Sequence, residues 1–563
     1  MAFLDRILSR ASGISDLQQL TDPATLPPGP EIQITPPPTP QPVKLRRDAK
    51  PVPRGAYLCD LAAPLVTLSA KDNWTLGDAC AGTHIFGSNG SGKTTGSGQS
   101  LAKAFLRAGF GGLVLCAKPD ERANWQRYAR ETGREHQLIV VSQQANWRFN
   151  FIQYELQRPG SPTRRVENLL STLMNLLEQS GRQQSGSSNE PFWYQAAELL
   201  LRNVLMVLTA ARSHYSLFDV QRFIDSTPQS DRDRESTEFQ AGPCNTYLQE
   251  AKAAYIKQGR VSDYEVLENY FLVQFARLAD RTRSSITITL NTMLQDLQIG
   301  TLRDLFSTGT NFFPEDTHEG AIVLMDLPTI QNRAHISAQT LFKVVWQQAA
   351  LRRMDHPQID RIRPIFLWAD EAHFFATRAD TDYQSIARAA RACTVYLTQN
   401  LSSYYQRFGS QHPEHATHAL LGYLQTQIFH AQSDPNTIRY CQQLFGEEEV
   451  IHYNRSVSDT TGKNRSLSTN SSFGWNVGHS GGSKSHSVSG SSGSAESFGT
   501  SDSHTTGFTE SRQVRNSLFA SHLTSLKTGA GKDGISGAYV FQTGRRWGNQ
   551  STILQAEFSR HKA

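Results

Sequence analysis

The sequence predicts an α/β fold, a mainly parallel central sheet interrupted by an inserted all-α domain. Three observations predict it. Short apolar, β-branched runs alternate with helical stretches early in the chain. A long helical block then separates those runs from a second set of strand-like runs. A glycine-rich loop also stands between the first strand and its helix, where a parallel sheet places its ligands.

Taken in order, residues 83–86 (THIF) read as the first strand of the block and residues 100–108 as the helix after it. Residues 112–116 (GLVLC) and 138–141 (LIVV) read as buried strands. From about residue 159 to residue 280 the pattern turns helical, with residues 179–189 as a flexible loop and residues 230–238 as a charged, exposed connection. Residues 196–211 are strongly apolar, but Glu198, Arg202 and Asn203 make them a core helix rather than a membrane span. Strand-like runs return at residues 321–326, 365–368, 394–397 and 427–429, and again at 538–542 and 551–558.

The flanks differ in composition. Residues 1–16 suit a short amphipathic helix and lack the apolar core of a secretory signal. Residues 22–54 are dense in proline and favour extended polyproline conformations. Residues 455–512 are dominated by Ser, Gly and Thr; they are expected to be disordered, with room for a weak hairpin at Phe473, Trp475, Phe498 and Phe508. Residues 481–485 read as linker. The net charge of +5 permits nucleic-acid binding without demanding it. Cys59, Cys80, Cys116, Cys244, Cys393 and Cys441 show no CxxC or zinc-like spacing and read as scattered reduced thiols.

Residues 87–94 read GSNGSGKT, a full GxxxxGK[ST] phosphate loop. Gly87, Gly90 and Gly92 let the backbone wrap a phosphate so that successive N–H groups point at it. Ser88, Asn89, Ser91 and Thr95 complete the expected nucleotide-binding segment. Lys93 reaches the β- and γ-phosphates of ATP, and the Thr94 hydroxyl holds Mg²⁺.

Residues 365–373 read IFLWADEAH. A buried strand delivers Asp370, to orient Mg²⁺ or its water, and Glu371, to polarise the attacking water. Lys93 and Asp370 stand 277 positions apart (370 − 93), more than a compact nucleotide-binding core needs, which leaves room for the insertion. Gln399 ends the next strand, where an amide can report the γ-phosphate. Arg388 lies eleven positions before it (399 − 388) and is a candidate arginine finger, with Arg391 as its rival.

Together these residues resemble the TraG/TraD-type coupling proteins of type IV secretion, within the FtsK/HerA class of ring-shaped translocases. The resemblance runs from about residue 81 to residue 449. It rests on GSNGSGKT, on LVLCAKPDE with its Pro/Lys/acid turn, on RFNFI at residues 148–152, and on the spacing of Asp370, Glu371, Arg388 and Gln399. It implies a RecA-like P-loop NTPase fold, a homo-hexamer with DNA in its channel, and a relaxase or relaxosome and secretion-channel components as partners. Composition and resemblance together give the expected layout: an N-terminal arm at 1–21, a Pro-rich linker at 22–54 and the first part of the NTPase domain at 55–211. The all-α domain follows at 212–273 and the second NTPase part at 274–454. The Ser/Gly-rich insertion occupies 455–512, and C-terminal strands at 513–563 complete the NTPase domain.

Two departures stand out. The family's two N-terminal membrane helices have no counterpart, since no run of about 18 uncharged apolar residues occurs. The Ser/Gly-rich tract is a variable insertion. The expected location is therefore cytoplasmic, with peripheral recruitment to the inner membrane through a partner. Two other readings stay open: a cytosolic HerA-like translocase for DNA processing or defence, and an effector-recruiting adaptor that uses ATP as a switch.

Overall fold

The computed structural model describes residues 57–181, 190–409, 412–462, 474–480, 483–489, 501–531 and 533–559. The expected arm at 1–21 and linker at 22–54 lie outside them, as does most of the loop read at 179–189.

A small antiparallel hairpin, β1 (Pro64–Thr67) and β2 (Asn73–Thr75), leads into the main sheet. Its parallel strands are β3 (Thr83–Phe86), β4 (Gly111–Leu115), β5 (Leu138–Val141), β6 (Ile322–Met325), β7 (Ile365–Ala369), β8 (Ala392–Thr398) and β9 (Thr426–Phe429). Strands β10 (Glu447–Gly462), β11 (Gly474–Ser480), β12 (Ser483–Ser489) and β13 (Ser501–Asn516) form a separate sheet. The last two, β14 (Ile535–Gln542) and β15 (Leu554–Ser559), return to the main sheet as antiparallel neighbours of β9 and of each other. Its order is β15-β14-β9-β3-β8-β7-β4-β6-β5. Thus β8 lies between the strand of the phosphate loop and the strand of the acid pair.

The central strands are buried along their whole length because both faces are covered. Side chains alternate between two cores. Leu113 and Leu115 of β4 enter one with the helical block, while Val114 enters the other with Phe105, Trp125 and Phe366.

Between β5 and β6 the described residues are mainly helical, from Phe151–Leu156 to Gly300–Phe306. This stretch extends beyond residues 212–273 at both ends. The reason is packing. Leu169 and Leu173 of the helix Pro162–Gly181, and Leu201 and Leu205 of Glu190–Ala211, share one core with Phe223, Phe271 and Leu290. No composition break separates them. Among the described residues no helix is long and apolar enough to cross a membrane.

For the described residues between 455 and 512, the expected disorder is corrected. Strands β10 to β13 make an antiparallel sheet in the order β10-β13-β12-β11, with cross-strand pairs from Glu447↔Asn516 to Gly462↔Ser501. A ladder of backbone hydrogen bonds does not require apolar side chains, so Ser- and Thr-rich segments can form it. Residues 483–489, partly read as linker, are strand β12. Phe473 and Phe498 lie outside the described residues.

Candidate nucleotide-binding site

Parallel strands end on one edge, and here five neighbours, β9-β3-β8-β7-β4, deliver polar residues to it. Strand β3 runs into Gly87, β7 into Asp370, β8 into Gln399, β4 toward Lys118, and β9 toward Gln432.

The phosphate loop is tied down at its root. The Gly87 N–H donates to the Thr398 carbonyl at 3.2 Å and the Ser88 N–H to the Ala431 carbonyl at 3.0 Å. The Ser88 hydroxyl donates to Gln432 Oε1 at 3.0 Å, and Gln432 Nε2 donates to the Gln399 carbonyl at 2.8 Å. Asn89 and Gly90 at the tip are exposed, and Thr95 is half-buried. Gly90 and Gly92 adopt φ of 73° and 90°. At Gly92 an added Cβ would also stand 2.5 Å from the Ser536 side chain, so both backbone and space demand glycine. The Ser91 hydroxyl is buried without a hydrogen-bond partner among the described residues.

After Lys93 the chain makes one wide π turn, Thr94–Gly98, closed by the Gly98 N–H on the Lys93 carbonyl at 2.8 Å. The helix Gln99–Arg107 follows. Sequence reasoning missed the wide turn. Its signal was glycine at 96 and 98, where a Cβ would press on Ser536 and on the Lys93 carbonyl.

The acid pair meets this loop. Thr94 Oγ1 donates to Asp370 Oδ2 at 2.9 Å. Glu371 leaves β7 at φ 49°, a left-handed turn uncommon for a side-chain-bearing residue, and its N–H donates to Asp370 Oδ1. Glu371 Oε1 collects the cations. Lys118 Nζ donates to it at 2.6 Å, Gln399 Nε2 at 3.2 Å, and Lys93 Nζ stands at 3.4 Å. Burial opposes its ionisation, but Lys93 and Lys118 hold its pKa below the ordinary carboxylate value. Its other oxygen, Oε2, is buried without a partner and lies 3.8 Å from His373 Nδ1. Burial lowers the His373 pKa to about 4, so its ring is neutral at neutral pH.

Lys118 was not among the predicted site residues, although LVLCAKPDE places it directly after a buried strand. Burial works against its charge, yet Asp370 and Glu371 raise its pKa. Its backbone is fixed by Glu121, whose Oε1 accepts from the N–H groups of Ala117 and Lys118 at 3.1 and 2.9 Å.

Of the predicted residues, the structure brings together the phosphate loop with Lys93 and Thr94, Asp370, Glu371 and Gln399. It does not bring Arg388 to them. Arg388 is the exposed C-cap of the helix Arg378–Ala387, just before β8 begins. The site lies past the other end of that strand, about 20 Å away at 3.3 Å per residue. Arg391 is buried, its guanidinium bonded to Asp360 at 2.5 Å and reaching the Cys59 carbonyl at 3.5 Å.

The donor set of Thr94 and Asp370, both hard oxygens, suits Mg²⁺. Among the described residues no cluster of three His, Cys, Asp or Glu side chains offers another metal site.

No curated protein sequence matches the chain. Residues 251–474 match the family described as type IV secretion-system coupling protein DNA-binding domain. Solved structures of the plasmid coupling protein TrwB share the fold. The complex with the GTP analogue GDPNP gives a TM-score of 0.53 at 13% identity, over 90% of this chain and 92% of that one. The complex with ADP and Mg²⁺ gives the same four values, and so does the trigonal form with sulphate. Residues 251–474 thus match a coupling-protein domain, and the fold, a RecA-like sheet with a helical insertion, is the one the TrwB structures share.

Proposed function

We propose that this chain is an ATP-driven coupling protein that recruits or pumps DNA, or nucleoprotein, to a type IV secretion system in conjugation. One observation carries the reading: Thr94 bonded to Asp370, with Glu371 held beside Lys93 on a single sheet edge. It occurs in a chain whose residues 251–474 match a coupling-protein DNA-binding domain. TrwB structures with ADP and Mg²⁺ and with a non-hydrolysable ATP analogue support the same ligands here.

The residues divide the work. Backbone N–H groups of residues 87–94 cradle phosphates, and Lys93 neutralises charge on the β- and γ-phosphates. Mg²⁺, held by Thr94 with Asp370 behind it, would offset the charge that develops on the phosphate oxygens. Glu371 orients and polarises the attacking water, and Gln399, bonded to it, reports the γ-phosphate.

Arg388 serves a neighbouring copy. It is exposed and lies at the sheet edge opposite its own phosphate loop, so contact with a nucleotide requires another subunit. That favours a ring, here a homo-hexamer with DNA in its channel. A relaxase or relaxosome and the secretion channel are its partners, with a cytoplasmic location and recruitment to the inner membrane through them.

Titrating labelled DNA with the purified chain and ATP, at rising salt, tests the DNA half of the proposal. Affinity should fall steeply with salt and vary little with sequence, because phosphate contacts release counterions. No binding, or salt-independent binding, would favour the adaptor.

A further inference from the structure

Two ammonium groups converge on one carboxylate oxygen in this site, and the phosphate loop accounts for only one of them. Lys93 Nζ lies 3.4 Å from Glu371 Oε1 and Lys118 Nζ lies 2.6 Å from it. Two cations that close to a shared oxygen are near enough to bracket a single phosphoryl group. Lys118 also stands 3.9 Å from Asp370 Oδ2, so it faces the acid pair from the β4 side while Lys93 faces it from the β3 side.

We infer that Lys118 is a second phosphate-binding lysine, which exchanges between the Glu371 carboxylate and the γ-phosphate of a bound nucleoside triphosphate. The inference rests on the ATPase reading of this site and adds a residue to it.

Three features favour exchange over a fixed structural pair. The first is mobility at one end only. Glu121 pins the Lys118 backbone, while the side chain is 31% exposed against 6% for Lys93. The four-carbon stem of a lysine can swing its charge without moving the chain. The second is redundancy. Oε1 also accepts from Gln399 at 3.2 Å, so Glu371 keeps a hydrogen bond when Lys118 leaves. The third is charge. Lys93 and Lys118 balance Asp370 and Glu371 two for two. A triphosphate brings about four negative charges and its Mg²⁺ two positive ones. The surplus of negative charge draws the more accessible ammonium, and the departure of Lys118 frees Glu371 for the attacking water. Only the third phosphate needs to lie near the acid pair, so a diphosphate should leave Lys118 where it is.

The test is binding rather than turnover. Affinities for fluorescent ADP and for a fluorescent non-hydrolysable ATP analogue, each with Mg²⁺, are measured for the full chain, Lys118→Met, Lys118→Arg and Lys93→Ala. Lys118→Met should weaken the triphosphate analogue about tenfold or more, the scale of one lost charged contact, and change ADP less than about twofold. Lys118→Arg should recover most of the loss. Equal weakening of both nucleotides would mean that Lys118 only shapes the site, and unchanged affinity for both would mean that it never leaves Glu371; either overturns the inference. Lys93→Ala separates this from the parent reading. If Lys93→Ala loses both nucleotides while Lys118→Met loses neither, the nucleotide site stands and the exchange fails. If the unaltered chain binds neither nucleotide, both readings fall.

Discussion

The Thr94 hydroxyl donates to Asp370 Oδ2 at 2.9 Å, closing a separation of 276 residues in one hydrogen bond. Asp370 directly follows the buried strand β7, Thr94 closes the phosphate loop that follows β3, and β8 between those strands adds Gln399. The bond places the hydroxyl proposed to hold Mg²⁺ directly against the acid proposed to orient the ion's shell.

That contact has a consequence for metal dependence. Thr94→Ser keeps the hydroxyl and Thr94→Ala removes it. Mg²⁺ should tighten nucleotide binding in the unaltered chain and in Thr94→Ser, and have little effect in Thr94→Ala. Fluorescent-nucleotide titrations with Mg²⁺ and with EDTA check this. An undiminished Mg²⁺ effect in Thr94→Ala would remove Thr94 from the metal site.

The two arginines should part company. Arg388 has an exposed side chain with no ion pair among the described residues, so Arg388→Ala should leave the melting temperature unchanged and cut turnover roughly a thousandfold. Arg388→Lys should fail nearly as badly, because lysine lacks the planar fork. Mixed with Lys93→Ala, Arg388→Ala should regain partial activity through interfaces that keep one intact residue of each kind. Arg391→Ala should instead lower the melting temperature, having lost the Asp360 contact. Thermal melts and turnover of mixed, co-assembled subunits distinguish them. Recovery with Arg391→Ala in place of Arg388→Ala would reverse the assignment.

The small antiparallel sheet should be dispensable for turnover. Its four strands pair among themselves and do not join the main sheet. Asn454 and Thr509 are cross-strand partners, so replacing residues 455–508 with an Asn-Gly turn preserves the base of the ladder. ATP turnover and the main melting transition should survive. Collapse of either would show that the sheet supports the motor.

Buried histidines should make the fold acid-sensitive. Burial, aided by Arg353 and Arg352, lowers the His318 pKa to about 3, and burial alone does the same at His84. The unfolded chain takes up these protons near pH 6.5 and the folded chain resists them. Stability is therefore full above pH 6.5 and falls as pH drops toward 3, by up to about 1.4 kcal/mol per pH unit for each histidine. His318→Gln should flatten the drop in melting temperature between pH 7 and pH 5. An equally steep drop would assign the acid sensitivity elsewhere.

Much of this was legible in the sequence because strands buried on both faces are written as short apolar runs. IFLWADE and GSNGSGKT announced their positions, and the sheet edge they share follows from parallel topology. Other features depend on contacts that no local pattern records. Lys118 reaches the acid pair only because β4 lies beside β7. Arg388 and Arg391 are three residues apart in one basic stretch, and only the fold shows one exposed and the other bonded to Asp360. The Ser/Gly-rich strands were misread because composition reports the lack of an apolar core, not the pairing available to a backbone.

As a motor, the chain should use Lys93 and Glu371 to hydrolyse ATP in response to DNA. Steady-state ATP turnover of the purified chain, with and without DNA, tests it most directly, beside Lys93→Ala and Glu371→Gln. The expected result is DNA-stimulated turnover in the unaltered chain, none in Lys93→Ala, and retained ATP binding with little hydrolysis in Glu371→Gln. Turnover at the unaltered rate in both variants, or none in the unaltered chain with DNA present, would contradict it.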